Sequence, residues 1–179
     1  MLEAIKDKKF IFFDVGYTLD YPASGDWMFT KKFYEIVGDR LNKHSAEEIQ
    51  KAREFGLECL EKNHLVKNTE EEYHQFIRYY SDISKYLKLS LTEEEVCAIA
   101  DDRTNNMDNY IVYPDAKEVL EVLSHSYKLG IISDTWPSIE RQLCTIGVRD
   151  YFSTSTYSCE LGKFKPDEAL YKDALKKCG

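Results

Sequence analysis

An aspartate stands directly after the most apolar run of the chain. The run is Phe10-Ile11-Phe12-Phe13, and the aspartate is Asp14. Four large apolar residues in succession are typical of a strand that is covered on both faces, as in a parallel sheet. The carboxyl end of such a strand is where open α/β sheets bind ligands, and carboxylates can act as covalent nucleophiles. We therefore expect Asp14 to take part in chemistry; the simpler alternative is an aspartate that only caps the turn after a strand.

Two further segments carry polar side chains in comparable positions. An apolar run at residues 130–132 leads into Ser133 and Asp134. Because Asp134 could simply cap the helix that follows, Ser133 is the better candidate for binding a ligand. In the third segment Lys165 precedes a Pro-Asp pair. A single lysine in a loop is more often a solvated surface residue, so this segment is informative only together with the other two.

In this order the three segments resemble motifs of the haloacid dehalogenase superfamily, whose members are mostly magnesium-dependent phosphohydrolases with a nucleophilic aspartate. The resemblance implies that Asp14 is the nucleophile and that Lys165 balances the charge of the nucleophile and the phosphate. It also implies that Thr18, Ser133 and Asp134 bind the substrate. Ser133 would hydrogen-bond the transferring phosphoryl group, and Asp134 stands where the family often has asparagine.

Gly16 departs from this pattern. The phosphatases carry an aspartate there, which protonates the leaving group and then activates water. Such acid–base help contributes about 100- to 10,000-fold, so Gly16 predicts slow turnover, an unusual leaving group or a different reaction. The resemblance still implies Mg²⁺ as cofactor, bound by Asp14 and the backbone carbonyl of Gly16. Dehalogenases and phosphonate hydrolases of the superfamily also lack that aspartate, but the dehalogenases place an aromatic residue there, whereas this chain has Tyr17 one residue later.

A second departure concerns a fourth motif, an acidic pair after one more strand that completes the magnesium site in the family. By usual element lengths it would lie roughly ten residues beyond Gly179. Without that strand, residues 10–15 would form an open, flat, apolar edge, which invites pairing with another chain. We expect either that the sequence is a truncated form of a longer protein or that this edge is covered, for example by self-association through the first strand.

The rest of the sequence predicts the elements that position these residues. Helical and strand patterns alternate after residue 113, which predicts an α/β fold with a Rossmann-like parallel sheet, formed by residues 1–20 and 112–179. Residues 21–111 lack β-branched runs and show helical spacing, which predicts an inserted all-helical cap with helices that start near residues 26, 45, 69 and 92. Capping boxes at Ser45, Thr69 and Thr92 support the last three starts.

Composition excludes several other classes of protein. The length of 179 residues fits one domain or one core with a modest insertion, and the net charge of -8 argues against general nucleic-acid binding. Five scattered cysteines without a CxxC pair indicate reduced thiols rather than a disulfide framework or a zinc site. The sequence starts without a signal-peptide pattern and has no apolar run long enough for a membrane span. We therefore expect a cytoplasmic protein with no nucleic-acid or membrane partner.

Three aromatic residues are candidates for the rim of the site. Tyr21 and Trp27 follow the predicted nucleophile loop, and Trp136 follows Ser133 closely, but single aromatic residues more often pack in a core. The four histidines show no metal-ligand spacing and receive no role. The function that we expect is magnesium-dependent hydrolysis of a small phosphorylated metabolite through an aspartyl-phosphate. The alternatives are a dehalogenase or phosphonatase-like hydrolase on the same scaffold and a catalytically impaired phosphate-binding or regulatory protein.

Overall fold

The computed structural model describes residues 7–178, and a three-stranded parallel sheet lies at its centre. The strands are β1 (Phe10–Phe13), β4 (Lys128–Ser133) and β5 (Phe152–Tyr157), in the order β1-β4-β5. The middle strand, β4, is buried from Leu129 onward, as its apolar sequence predicts. Gly130 allows the strands to approach, because a Cβ there would lie 2.5 Å from the ring of Phe12. The α/β class and the parallel sheet predicted from the sequence are therefore confirmed.

Four helices belong to the same part of the chain as β4 and β5. They are α5 (Ala116–Ser124), which precedes β4, and α6 (Ile139–Thr145), α7 (Ser158–Leu161) and α8 (Glu168–Cys178), which follow it, with a 3₁₀ turn at Arg149–Tyr151. Apolar residues of α5, α6 and the strands form one buried cluster, which includes Val15, Leu120, Leu129, Ile131, Leu143 and Val148. A smaller cluster of Ile132, Leu170 and Ala174 holds α8 against the sheet. This packing fixes the carboxyl ends of β1 and β4 side by side.

A short antiparallel ribbon connects this sheet to a helical insertion. The ribbon pairs β2 (Asp20–Pro22) with β3 (Tyr110–Val112). Between its strands lie α1 (Lys31–Val37), α2 (Ala46–Glu61), α3 (Thr69–Tyr86) and α4 (Glu93–Asn105), with 3₁₀ turns at Gly38–Lys43 and Met107–Asn109. The ribbon was not predicted, because three-residue strands are too short to show a period in the sequence.

The helical insertion has its own apolar core. Its members come from all four helices, α1 to α4, and include Phe33, Ala52, Phe76, Tyr79, Tyr80, Ile83 and Ile99. Two tryptophans cross between the clusters. Trp27 precedes α1 but packs on the cluster of the parallel sheet, whereas Trp136 follows β4 but packs on the cluster of the insertion.

One predicted helix start and one predicted capping box were wrong, whereas α3 starts at Thr69 as predicted. The first helix starts at Lys31 rather than near residue 26, because the Asp26 carboxylate accepts hydrogen bonds from the N–H groups of Met28 and Phe29 and holds a turn there. The predicted capping box at Thr69 is also wrong, since Asn68 caps α3 by accepting from the N–H of Glu71. The boxes at Ser45 and Thr92 are confirmed.

The open edge expected from the sequence is present in the part of the chain that the structure describes. There β1 pairs only with β4, and its residues are half-buried. No helix within residues 7–178 is long and apolar enough to cross a membrane. Residues 1–6, on which the expectation about a signal peptide depended, and Gly179 lie outside the described residues.

Candidate active site

A cavity of about 420 Å³ lies at the carboxyl ends of β1 and β4. Five of the sequence-predicted site residues line it: Asp14, Gly16, Ser133, Asp134 and Lys165. Asp14 follows β1, Ser133 ends β4, and Lys165 comes from the loop between α7 and α8. Three segments that are far apart in the sequence are therefore brought to one edge of the sheet.

The Asp14 carboxylate is held between a backbone donor and a cation. Its Oδ1 accepts a hydrogen bond of 2.8 Å from the N–H of Val15 and lies 2.9 Å from Nζ of Lys165. The side chain of Asp14 is 42% exposed and that of Lys165 is 24% exposed. An oriented carboxylate that remains accessible from the cavity can act as a nucleophile, and the neighbouring cation can stabilise the negative charge that develops on a bound group.

The loop that carries Lys165 is anchored to Asp134. The N–H of Lys165 donates a hydrogen bond of 2.9 Å to Oδ1 of Asp134. Burial raises the pKa of Asp134, while the bond from Lys165 and its charge act in the opposite direction. Ser133 is buried, with 2% of its surface exposed, and lines the same cavity. Asp134 thus positions the lysine and also contributes a carboxylate to the site.

The space beside Gly16 is filled by an aromatic ring. A Cβ at Gly16 would lie 3.2 Å from the indole of Trp27, so a larger side chain would have to displace that ring. Tyr17 stacks edge-on against Trp27 with 5.1 Å between ring centroids. Tyr17 also has a positive φ of 58°, a strained conformation for a non-glycine residue. Where family phosphatases carry a carboxylate, this chain has an aromatic wall.

Two sequence-predicted residues lie elsewhere. Thr18 sits in the exposed turn after Val15 and is not among the residues that line the cavity, so its role in substrate binding stays a prediction. Tyr21 packs against Tyr113, with 4.9 Å between ring centroids, and does not line the cavity either. Trp27 and Trp136 both do.

Comparison with known proteins agrees with the geometry of the site. The sequence profile of the haloacid dehalogenase-like hydrolases matches residues 39–179, which is more than half of the chain. The chain belongs to this hydrolase family. No curated protein matches its sequence significantly.

Solved structures share the fold of this hydrolase. It is similar to the 2-haloacid dehalogenase from Pseudomonas syringae, with a TM-score of 0.55 and 19% identity over 94% of this chain and 72% of that one. The HAD phosphatase from Thermococcus onnurineus has a TM-score of 0.53 and 23% identity over 96% of this chain and 72% of that one. The HAD-hydrolase YfnB from Bacillus subtilis bound to magnesium has a TM-score of 0.60 and 11% identity over 94% of this chain and 73% of that one. At these identities the likeness shows the fold and does not choose between the activities.

The helical insertion of the hydrolase adds charged residues that sequence reasoning missed. Arg53 of α2 and Arg103 of α4 both line the cavity. Arg53 forms an ion pair with Asp26, which is itself 9% exposed. Arg53 stands in an amphipathic helix, where a charged residue normally indicates the solvated face. Arg103 follows the buried residues Val96 and Ile99 at helical spacing, so the period of α4 places it on the buried face and could have identified it.

A buried glutamate links the insertion to the segment after β4. Glu72 of α3 is fully buried and accepts hydrogen bonds from the backbone N–H and the hydroxyl of Ser138, at 2.7 and 2.6 Å. Burial raises the pKa of Glu72, and the bonds from Ser138 lower it in part. The sequence had indicated only a helix start at this residue.

A second buried carboxylate lies close enough to Asp14 for their charges to interact. Asp20 is fully buried, and burial raises its pKa to about 6, with a smaller contribution from the charge of Asp14. One oxygen accepts a hydrogen bond from Gln142, which lines the cavity, and the other has no partner in the described structure. Asp20 itself does not line the cavity.

The donors available for a metal ion are few. Within residues 7–178 no three histidine, cysteine or acidic side chains are grouped closely enough to hold one. The cavity does present the carboxylates of Asp14 and Asp134 and the backbone of Gly16. Magnesium is commonly held by one or two carboxylates, waters and the phosphate of a substrate. This oxygen-only set fits a weak magnesium site of that kind.

Proposed function

We propose that this hydrolase cleaves the phosphoric ester of a small metabolite through an aspartyl-phosphate at Asp14. The observation that carries the proposal is the Asp14 carboxylate, accessible in a cavity and 2.9 Å from Nζ of Lys165. Ser133 lies at the next strand end and lines the same cavity. A nucleophile, a cation and a hydroxyl donor at one strand edge are the groups that phosphoryl transfer requires.

The chemistry follows from these groups. An oxygen of Asp14 forms a bond to phosphorus, and the ester P–O bond breaks with its electron pair leaving on the alcohol oxygen. Lys165 stabilises the charge on the phosphoryl oxygens, and Ser133 donates a hydrogen bond to one of them. Water then attacks the phosphorus of the aspartyl-phosphate and releases inorganic phosphate and free Asp14. With no carboxyl group at position 16, the leaving oxygen must take its proton from water, so esters with good leaving groups should react fastest.

Magnesium fits this proposal as a cofactor. Asp14, Asp134 and the carbonyl of Gly16 would hold it together with the substrate phosphate. When bound it would neutralise part of the phosphate charge. Because few protein ligands are present, we expect the requirement for magnesium to saturate only at high concentrations of the metal.

The helical insertion serves in this proposal as a cap, with residues 21–111 as its limits. Its contribution is to exclude water from the cavity and to select the substrate. We also propose a cytoplasmic location, supported by five cysteines that form no disulfide in the described structure.

The test is hydrolysis of para-nitrophenyl phosphate by the 179-residue chain, with magnesium and with a chelator. We expect turnover that needs both magnesium and Asp14, and its loss in Asp14→Asn. Asp115→Asn is the matched control, because Asp115 is exposed and its side chain makes no capping hydrogen bond. Equal release of nitrophenol by the native chain and Asp14→Asn would reject the phosphatase and favour a phosphate-binding protein without turnover.

The aromatic wall beside Gly16 favours a second candidate, a dehalogenase. A halide needs no proton to leave, so the absence of an acid at position 16 would carry no disadvantage. Asp14 would then attack carbon and displace the halide, and Trp27 would face the apolar part of the substrate. Halide release from 2-chloropropanoate without magnesium, lost in Asp14→Asn, would support this reaction; no release beside active phosphate hydrolysis would exclude it.

A further inference from the structure

Arg103 places a buried cation in the wall of the cavity. It belongs to α4, lines the cavity and is 5% exposed. Its Nη1 donates a hydrogen bond of 2.6 Å to the hydroxyl of Tyr110. Within residues 7–178 no atom accepts a hydrogen bond from its Nε, which is buried. Arg103 therefore keeps a hydrogen-bond donor that none of the described residues uses.

The groups in direct contact with Arg103 are aromatic rings. Its guanidinium carbon lies 4.7 Å from the ring centroid of Phe76 and 5.9 Å from those of Tyr110 and Trp136. No carboxylate among the described residues lies within ion-pair distance of it; the oxygens of Glu72 accept hydrogen bonds from Ser138, and the charge of Glu72 acts on Arg103 only from a longer distance. Cation–π contacts compensate only part of the cost of burying a charge.

The other arginine of the cavity shows the contrast. Arg53 forms an ion pair with Asp26, so its charge is balanced within the protein. Arg103 has no such partner in the part of the chain that the structure describes. The charge of Glu72 balances that of Arg103 only in part and without direct contact, so a negative group on a ligand could form the ion pair that the described residues do not provide.

We propose that Arg103 binds a second anionic group of the substrate, a carboxylate or a second phosphate, distinct from the phosphoryl group at Asp14. This inference rests on the proposed function, which places the first anion beside Lys165. A guanidinium has only donors and no acceptor, and its charge-assisted bonds to oxyanions are the strong ones, so an anion is favoured over a neutral hydroxyl. A cavity of about 420 Å³ limits the substrate to a small molecule with both groups.

Binding to the Asp14→Asn protein tests the inference without turnover. The probes are 2-carboxyethyl phosphate, propyl phosphate of nearly the same shape, and 1,3-propanediol bisphosphate, measured by calorimetry with magnesium present. We expect the carboxylated or the bisphosphorylated ligand to bind at least about tenfold more tightly than propyl phosphate. The tighter of the two identifies which oxyanion Arg103 prefers.

Variants of Arg103 test whether this residue causes the preference for a second anionic group. In the Asp14→Asn protein, Arg103→Gln should reduce the ratio of the two affinities to about one, whereas Arg103→Lys should retain part of the preference. Arg78→Gln is the matched control, since Arg78 is an exposed arginine on α3 and does not line the cavity. Circular dichroism checks that each variant is folded. If Arg103→Gln is not folded, the comparison of the three ligands on the Asp14→Asn protein still decides whether a second anionic group strengthens binding, and Arg103→Lys then tests the role of the arginine.

The outcomes separate this inference from the phosphatase proposal. Three results would overturn the role of Arg103: equal binding of all three probes, no binding of the two probes with a second anionic group, or a preference for them that persists in Arg103→Gln. Turnover is measured separately on the native chain. If propyl phosphate is hydrolysed as efficiently as the two esters with a second anionic group, the phosphatase stands and the inference fails. If no ester is hydrolysed but the preference in binding depends on Arg103, the inference stands and the phosphatase fails.

Discussion

The two walls of the cavity are built in different ways. The core wall is defined by Asp14, Ser133, Asp134 and Lys165 and lies at the strand ends and the adjoining loop. Its cation is paired, since Nζ of Lys165 lies 2.9 Å from Oδ1 of Asp14. The helical wall, defined by Arg53 and Arg103, comes from the insertion and includes a buried cation without an acidic partner in the described residues. The residues of the core wall thus follow short local motifs, whereas those of the helical wall are brought to the cavity by long-range packing. Breaking each wall should therefore change a different kinetic quantity.

The largest effect is expected from the core wall. Lys165→Met removes the cation beside Asp14 while keeping an unbranched side chain of similar length. If Lys165 stabilises charge in the transition state, kcat for para-nitrophenyl phosphate should fall by about 100- to 1,000-fold, with a smaller change in KM. Steady-state kinetics on the purified variant measures both constants.

Lys163 provides the control for this variant. It lies in the same loop, is exposed and is 3.8 Å from Asp167, so Lys163→Met should leave kcat within about twofold. A loss confined to KM in Lys165→Met would contradict the division between the walls, because the lysine would then serve binding alone.

A medium effect is expected where the two walls meet. His64, in the loop between α2 and α3, is 2% exposed and its Nε2 lies 2.7 Å from the hydroxyl oxygen of Ser158. That oxygen also accepts a hydrogen bond of 2.7 Å from the N–H of Thr135, next to the core wall. Burial lowers the pKa of His64 from 6.5 to about 4. The unfolded chain therefore binds a proton below pH 6.5 that the folded chain resists, and stability falls as the pH falls from about 6.5 to 4.

The measurement is the free energy of unfolding by urea at pH 7.5 and pH 5. Between these values the native chain should lose about 2 kcal/mol that the variant His64→Gln does not lose. His74→Gln, which changes an exposed histidine of α3, should follow the native chain. If His64→Gln shows the same loss as the native chain, the junction of the walls does not depend on a neutral His64.

These differences also explain what the sequence could predict. Asp14, Ser133 and Lys165 each follow a recognisable local pattern, so both their places at the sheet edge and the parallel sheet itself could be predicted. His64 carries no local signal, and the helical spacing of Arg103 indicates burial but not a cavity, because both positions result from packing against residues that are distant in the sequence. Glu72 could not be predicted for a related reason, since an acidic run at a helix start looks the same whether its last residue faces solvent or, as here, Ser138.

The smallest effect concerns polar atoms inside the helical insertion and tests whether an unpartnered group there must serve a ligand. Tyr79 and Tyr80 are neighbours on α3, and both are fully buried. The Tyr80 hydroxyl donates to the carbonyl of Met28, whereas the Tyr79 hydroxyl has no partner in the described structure and does not line the cavity. Tyr80→Phe should therefore lower the free energy of unfolding by about 1–2 kcal/mol, because it leaves a buried carbonyl unpaired.

Tyr79→Phe should be neutral or stabilising by up to about 1 kcal/mol, because it removes a buried hydroxyl that has already lost its water. Urea unfolding compares the two variants, and calorimetry with 2-carboxyethyl phosphate shows whether either changes binding. Unchanged binding in Tyr79→Phe beside a loss in Arg103→Gln would separate an unpartnered atom that is only a packing cost from one that faces a ligand. If Tyr79→Phe weakened binding as much as Arg103→Gln does, a free hydrogen-bonding group in the helical wall could not be taken as a sign of a ligand site.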